Sequence, residues 1–200
     1  MRPNLPNSIS LFRVLMVPIL MVFMLVEIPA GDIVALVVFV LAAGSDSLDG
    51  YIARRRSQTT VMGAFLDPLA DKLLVTAALV SLVSLGELSA WVAMLVIARE
   101  LAISGLRMVA AVQNVVIAAS RWGKAKTASQ MLAIAALITE PRWLKPEWTL
   151  AGHKVTWYLV MLMLVLTVGS GIGYFVRARQ KLRGPAATGS EEGRVPPTEG

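Results

Sequence analysis

The chain has 200 residues and a mass of 21.5 kDa, with 56% hydrophobic residues, 16% charged residues and a formal net charge of +6. Soluble domains hold about 45–50% apolar residues with glycine counted and about 25% charged ones, and a chain this small could not hide so much apolar surface from water. An ordinary soluble enzyme, a disordered chain and a disulfide scaffold are excluded, the last because cysteine is absent.

A helix that crosses a membrane needs about 20 mostly apolar residues. Six segments are predicted as such helices: Ser8–Val26, Ile33–Ala53, Gly63–Leu85, Ala90–Ala111, Ala125–Thr139 and Val155–Val176. The fifth is short and begins among cations. The punctuation agrees. Pro29-Ala30-Gly31-Asp32 separates the first two segments, Arg54-Arg55-Arg56-Ser57-Gln58 the next pair, and Gly86-Glu87 the third from the fourth. Glu140 to Gly152 reads as a polar loop with two prolines. The expected fold is all-α, a polytopic six-helix membrane domain over residues 1–183 with a disordered tail over 184–200. His153 is the one histidine and makes no metal cluster.

Cations give the orientation. Arg2, Arg54, Arg55, Arg56, Arg121, Lys124, Arg177, Arg179, Lys181 and Arg183 fall on one side of a six-span chain; Arg142, Lys145 and Lys154 fall on the other. The positive-inside rule places the first side in the cytoplasm, with both termini. The net positive charge is read in the same way, as flanking cations rather than a nucleic-acid surface.

Ionisable residues inside spans are functional candidates. Asp46 and Asp49 are three apart in the second segment; Asp67 and Asp71 are four apart in the third. Both spacings share one helical face. Asp46, Asp49, Gly50, Ala53 and Arg54 continue a single stripe, and Gly63, Asp67 and Asp71 make a second. Four central aspartates would cost on the order of 10–14 kcal/mol on an insertion scale, less near the interface. A divalent cation removes that difficulty. Carboxylate oxygens without sulfur or imidazole select Mg²⁺ or Mn²⁺, and Mg²⁺ prefers few carboxylates plus waters and phosphates. The substrate expected is therefore phosphate-bearing. Arg13, Arg99, Arg107, Lys124 and Lys126 lie in or beside the spans as candidate cations for a second phosphate. The plain alternatives are snorkelling for Lys124 and, for Arg99, pairing with Glu100 or with a neighbouring helix. Gly50 and Ala53 are also what close helix packing requires.

Residues 46 to 71 read D-S-L-D-G-Y-I-A-R, eight residues, then G-A-F-L-D-P-L-A-D. This resembles the signature of the CDP-alcohol phosphatidyltransferase family, D-x-x-D-G-x-x-A-R-x(8)-G-x-x-x-D-x-x-x-D, at all eight fixed positions: Asp46, Asp49, Gly50, Ala53, Arg54, Gly63, Asp67 and Asp71. Asn4-Leu5-Pro6-Asn7 with Ser10 and Arg13, Arg99-Glu100, Ser104 to Met108 and Trp122 to Thr127 resemble the bacterial members that accept glycerol 3-phosphate.

The resemblance implies transfer of a phosphatidyl group from CDP-diacylglycerol to sn-glycerol 3-phosphate with release of CMP. It implies Mg²⁺, or Mn²⁺ in its place, held by Asp46, Asp49, Asp67 and Asp71, with Asp71 as general base. It implies cytidine-diphosphate contacts by Asp49, Gly50, Ala53, Arg54 and Gly63, and a homodimer in the bacterial cytoplasmic membrane with its site facing the cytoplasm. Among the cations, Arg107 and Lys126 are expected to hold the acceptor phosphate ahead of Arg13, Arg99 and Lys124. Two other readings stay open: another acceptor (inositol phosphate, serine or phosphatidylglycerol) and a divalent-cation transporter.

Overall fold

A computed structural model describes residues 5–56, 61–112, 121–143, 149–150 and 153–183; within these, the side chains of 5–10, 46–56, 61–68, 71, 121–122, 141–143, 149–150 and 181–183 lie outside the described set. The described chain is helical, as expected: α1 (Leu5–Leu25), α2 (Gly31–Arg56), α3 (Val61–Ser84), α4 (Ala90–Val112), α5 (Arg121–Trp143) and α6 (Val155–Arg183). The tail over 184–200 lies outside the described residues.

The expected polar loop is shorter than its sequence implied. Glu140, Pro141, Arg142 and Trp143 continue α5, and a two-residue ladder pairs Thr149 with Lys154 and Leu150 with His153. The reason is local. Glu140 is 6% exposed and its carboxylate accepts a 2.5 Å ion pair from Lys154, just ahead of α6. That contact holds the end of α5 in helix against the start of α6. His153 stacks on Trp157 at 4.5 Å between ring centroids, with no metal-ligating cluster among the described residues.

The turns show how glycine is used. Gly86 has φ +77° and closes α3: its N–H donates to Val83 O, and Glu87 N–H reaches back to Leu82 O. This is the paired-bond glycine cap of helix C-termini. At the α1–α2 turn the left-handed residue is Ala30, with φ 60°. Gly31 beside it serves close approach instead, since a Cβ there would lie 2.9 Å from Phe23 O.

Short connections make α1 and α2 antiparallel, so that Gly31 meets Phe23 at one end and Arg13 meets Ser45 at the other. α1 packs on α2 and α3, α2 on α5, and α6 on α4 and α5. The core is drawn from one half of every helix. It comprises Leu20; Ala35, Phe39 and Ala42; Leu74, Ala78 and Leu82; Ala93 and Val96; Ile134 and Leu137; Val160 and Met163. The recurring spacing of three and four puts each set on one helical stripe. The outward faces stay apolar too: Trp91, Met94, Leu101 and Met108 on α4, and Val165, Ile172 and Val176 on α6, are exposed.

Among the described residues, one helix is long and apolar enough to cross a membrane by length and composition, over Val155–Gln180. Elsewhere the apolar runs are shorter, at Leu11–Leu25, Gly31–Ser45 and Lys72–Ser84. The acidic and basic residues cut these runs: Asp46 follows the second and Asp71 precedes the third.

The Glu140–Lys154 pair makes an asymmetric prediction. The bond from Glu140, and its negative charge, hold the Lys154 ammonium above the ordinary lysine range. A raised lysine adds stability that is complete below its unfolded pKa and lost as pH climbs through the folded one. Lys154→Met leaves a buried carboxylate unpaired and is expected to cost about 1 kcal/mol, a low figure because Lys154 is exposed and solvent screens the pair. Glu140→Gln frees a lysine that water rehydrates, and costs less. Thermal unfolding in detergent checks both. The gap between wild type and Lys154→Met should close at strongly alkaline pH; equal losses from the two substitutions contradict the asymmetry.

Candidate functional site

On all six helices the interior changes character at one level. The change falls between Leu20 and Arg13 on α1, Ala42 and Ser45 on α2, and Leu74 and Lys72 on α3. It falls between Val96 and Arg99 on α4, Ala133 and Gln130 on α5, and Met163 and Thr167 on α6. Successive helices run in opposite directions, so these polar halves gather at one end of the bundle. That end holds the C-terminal half of α2 and the start of α3. It also carries a small apolar contact of Ile103 with Tyr174 and Ala178.

The signature lies there. Asp46, Asp49, Gly50, Ala53 and Arg54 are on α2; Gly63, Asp67 and Asp71 are on α3, and the two helices touch. Both stretches are continuous helix, so the i, i+3 and i, i+4 spacings put each acidic pair on one face. The side chains of these eight residues lie outside the described set. The donor chemistry still tests the fit of a cation. Four carboxylates on two adjoining helices supply hard oxygen donors, which suit Mg²⁺ or Mn²⁺.

Around that end the helices bring in buried cations. Arg13 of α1 is 1% exposed, and its Nη2 donates to Ser45 Oγ at 3.5 Å, one residue before Asp46. Ser45 Oγ in turn donates to Ala42 O at 2.8 Å. On α5, Lys126 is 3% exposed whereas Lys124 is exposed. Residues two apart on a helix point nearly opposite ways, so one can enter the bundle only if the other leaves it. Arg107 of α4 is also exposed, two turns beyond Glu100. Of the expected phosphate cations, then, the structure buries Arg13 and Lys126, half-buries Arg99, and leaves Arg107 and Lys124 outward.

The residue that joins them is Glu100, which the sequence presents as a partner for Arg99 alone. Its Oε1 accepts from Arg99 Nη1 at 2.9 Å and also from Lys126 Nζ. Arg99 Nη2 donates to Ser170 Oγ on α6 at 2.9 Å. Three helices are thus tied by four polar side chains. The rule that flags the aspartates, an ionisable group within an apolar helix, flags Glu100 equally. Lys72, next to Asp71, and Glu100 line the same cavity of ≈ 20 Å³ between α3 and α4, about the space of one water. Gln130 Oε1, Thr167 Oγ1 and Tyr174 Oη are buried at this end and have no hydrogen-bond partner among the described residues.

The chain is similar over most of its length to known proteins. The profile of the family described as CDP-alcohol phosphatidyltransferase matches residues 3–179. A Bacillus subtilis protein named CDP-diacylglycerol–glycerol-3-phosphate 3-phosphatidyltransferase is 36% identical over 192 residues, covering 90% of this chain and 97% of that protein. A Haemophilus influenzae protein of the same name is 35% identical, covering 91% and 97%. One from Salmonella choleraesuis is 39% identical, covering 91% and 98%.

Proposed function

The chain belongs to the CDP-alcohol phosphatidyltransferase family, and from that premise we propose that it transfers the phosphatidyl group of CDP-diacylglycerol to sn-glycerol 3-phosphate, releasing CMP and forming phosphatidylglycerophosphate. The observation that carries the acceptor is the gathering of Arg13, Lys126 and the Arg99–Glu100 pair at the end of the bundle that carries the acidic signature. An acceptor with its own phosphate needs cations beside the reacting centre, and a low-dielectric interior makes them strong.

Asp46, Asp49, Asp67 and Asp71 would hold Mg²⁺, with Mn²⁺ as a substitute. The bound ion supplies charge neutralisation on the diphosphate oxygens. Gly50 and Ala53 leave room along the α2 stripe for the cytidine diphosphate, with Gly63 facing it from α3, and Arg54 pairs with its phosphates. Lys126 and Arg13 hold the acceptor phosphate. A carboxylate oxygen of Asp71 takes the proton from the attacking hydroxyl, and the new phosphorus–oxygen bond forms as CMP leaves.

The chain spans the bacterial cytoplasmic membrane with six helices and faces the cytoplasm with its polar end. Apolar outward faces on α4 and α6 around a polar interior support this reading, as does the excess of cations on that side. The acyl chains then stay in the bilayer while both head groups meet water. A homodimer rests on the family resemblance. Among the described residues the interior of the other half is mainly apolar, with Phe39, Leu79, Ile134 and Met163 buried there, which favours the transferase over a cation path.

An acceptor screen tests the reading. Purified protein with CDP-diacylglycerol and radiolabelled glycerol 3-phosphate, inositol phosphate, serine or phosphatidylglycerol should release CMP with glycerol 3-phosphate alone. Product from another alcohol instead moves the chain to a different branch of the family; metal flux without CMP release refutes the transferase.

A further inference from the structure

We infer that Glu100 is a positioning residue that sets Lys126 for the acceptor phosphate, and that Arg99 serves as its anchor rather than as a phosphate ligand. The inference rests on the glycerol 3-phosphate reading above and deepens it.

The geometry runs as a relay across three helices. Ser170 Oγ on α6 takes Arg99 Nη2 at 2.9 Å, Arg99 Nη1 reaches Glu100 Oε1 at 2.9 Å, and the same oxygen takes Lys126 Nζ from α5. Both terminal nitrogens of Arg99 are therefore engaged inside the protein. A guanidinium recognises phosphate through a fork of parallel N–H groups, and here one N–H on each terminal nitrogen of that fork is held, by Glu100 and by Ser170. Its stem is fixed as well. Arg99 crosses α6 at Gly171, where an added Cβ would lie 3.4 Å from Arg99 Cγ. Ser170 Oγ also donates to Thr167 O at 3.2 Å, which fixes the hydroxyl to its own helix.

Lys126 differs in kind. An ammonium has three donors, and Glu100 takes one of them. The side chain is buried and long. A carboxylate that grips one N–H fixes where the other two point. Within this trio two cations face one anion. Two effects would follow loss of the Glu100 charge. The pocket would gain attraction for a dianion, while Lys126 and Arg99 would repel each other and Lys126 would lose the bond that aims it. Two charge-assisted bonds end on a single oxygen, and such bonds are about twice as strong as neutral ones. Loss of position should therefore outweigh the gain in charge.

The test is steady-state kinetics on the full-length protein in detergent with Mg²⁺, following CMP release. Wild type with glycerol 3-phosphate comes first; no CMP release there overturns the acceptor reading and this inference with it. Given turnover, Glu100→Gln, which keeps shape and an accepting oxygen, is expected to raise KM for glycerol 3-phosphate about tenfold or more. Its kcat and its KM for CDP-diacylglycerol should stay within about threefold. In a Lys126→Met background the same change should add little, because its route to the acceptor is already lost. Ser170→Ala, milder and safer for folding, should raise the acceptor KM about twofold to threefold in the same direction. A lowered acceptor KM in Glu100→Gln, equal damage to both substrates, or full additivity with Lys126→Met overturns the role of Glu100 and leaves the acceptor reading standing.

Discussion

Asp71→Asn is expected to lower CMP release by about 10²–10⁴-fold, the usual contribution of a positioned general base, while CDP-diacylglycerol binding stays within about threefold. The change conserves volume and removes one negative charge, and with it the ability to take a proton. Asp71 lies one turn beyond Asp67 on α3, on the same face as the rest of the stripe. Three carboxylates remain at Asp46, Asp49 and Asp67 to hold the cation and, through it, the donor. Equilibrium binding of CDP-diacylglycerol, read beside turnover, separates the proposed roles. Near-normal turnover in Asp71→Asn removes Asp71 as the base. Loss of donor binding in parallel with turnover makes it chiefly a metal ligand.

Removal of divalent cations is expected to have an effect of similar size. Exhaustive chelation should reduce CMP release by about 10²–10⁴-fold, since neutralising charge on a reacting phosphoryl group is worth several kcal/mol and each 1.36 kcal/mol is tenfold. Mg²⁺ or Mn²⁺ should restore it, because both accept hard oxygen donors in small octahedral sites. Four carboxylates crowded on two adjoining helices repel one another without a counter-ion. Chelation should therefore also lower the thermal midpoint of the protein, a readout independent of turnover. Unchanged turnover and an unchanged midpoint after metal stripping would dismiss the cation.

How far the site was legible differs by residue. The helical placement of the eight signature positions on α2 and α3 was legible, because spacing along a helix is a property of sequence. The cations were less so. Arg13, Arg99, Arg107, Lys124 and Lys126 look alike in a sequence, each a basic residue in or near an apolar segment. The structure separates them by direction: Arg13 and Lys126 turn inward, whereas Arg107 and Lys124 face out. Rotation of a helix about its axis decides this. That rotation is set by packing against neighbours, which no local pattern encodes. The end of α5 is a second case. Glu140 to Trp143 has the composition of a loop, yet Lys154 draws Glu140 into the bundle and the helix continues.

By itself the sequence determined the family, the helical segments and the acidic pairs on α2 and α3. The last two follow from local hydropathy and the 3.6-residue period of the helix. Only the tertiary structure decided that Glu100 of α4 meets Lys126 of α5, and that Arg99 is taken up by Ser170 of α6. The partners of those bonds lie up to 71 residues apart. Burial makes such pairing obligatory, since an ionised side chain inside a bundle must find a counter-charge or a hydrogen bond. Which partner it finds depends on how the helices pack.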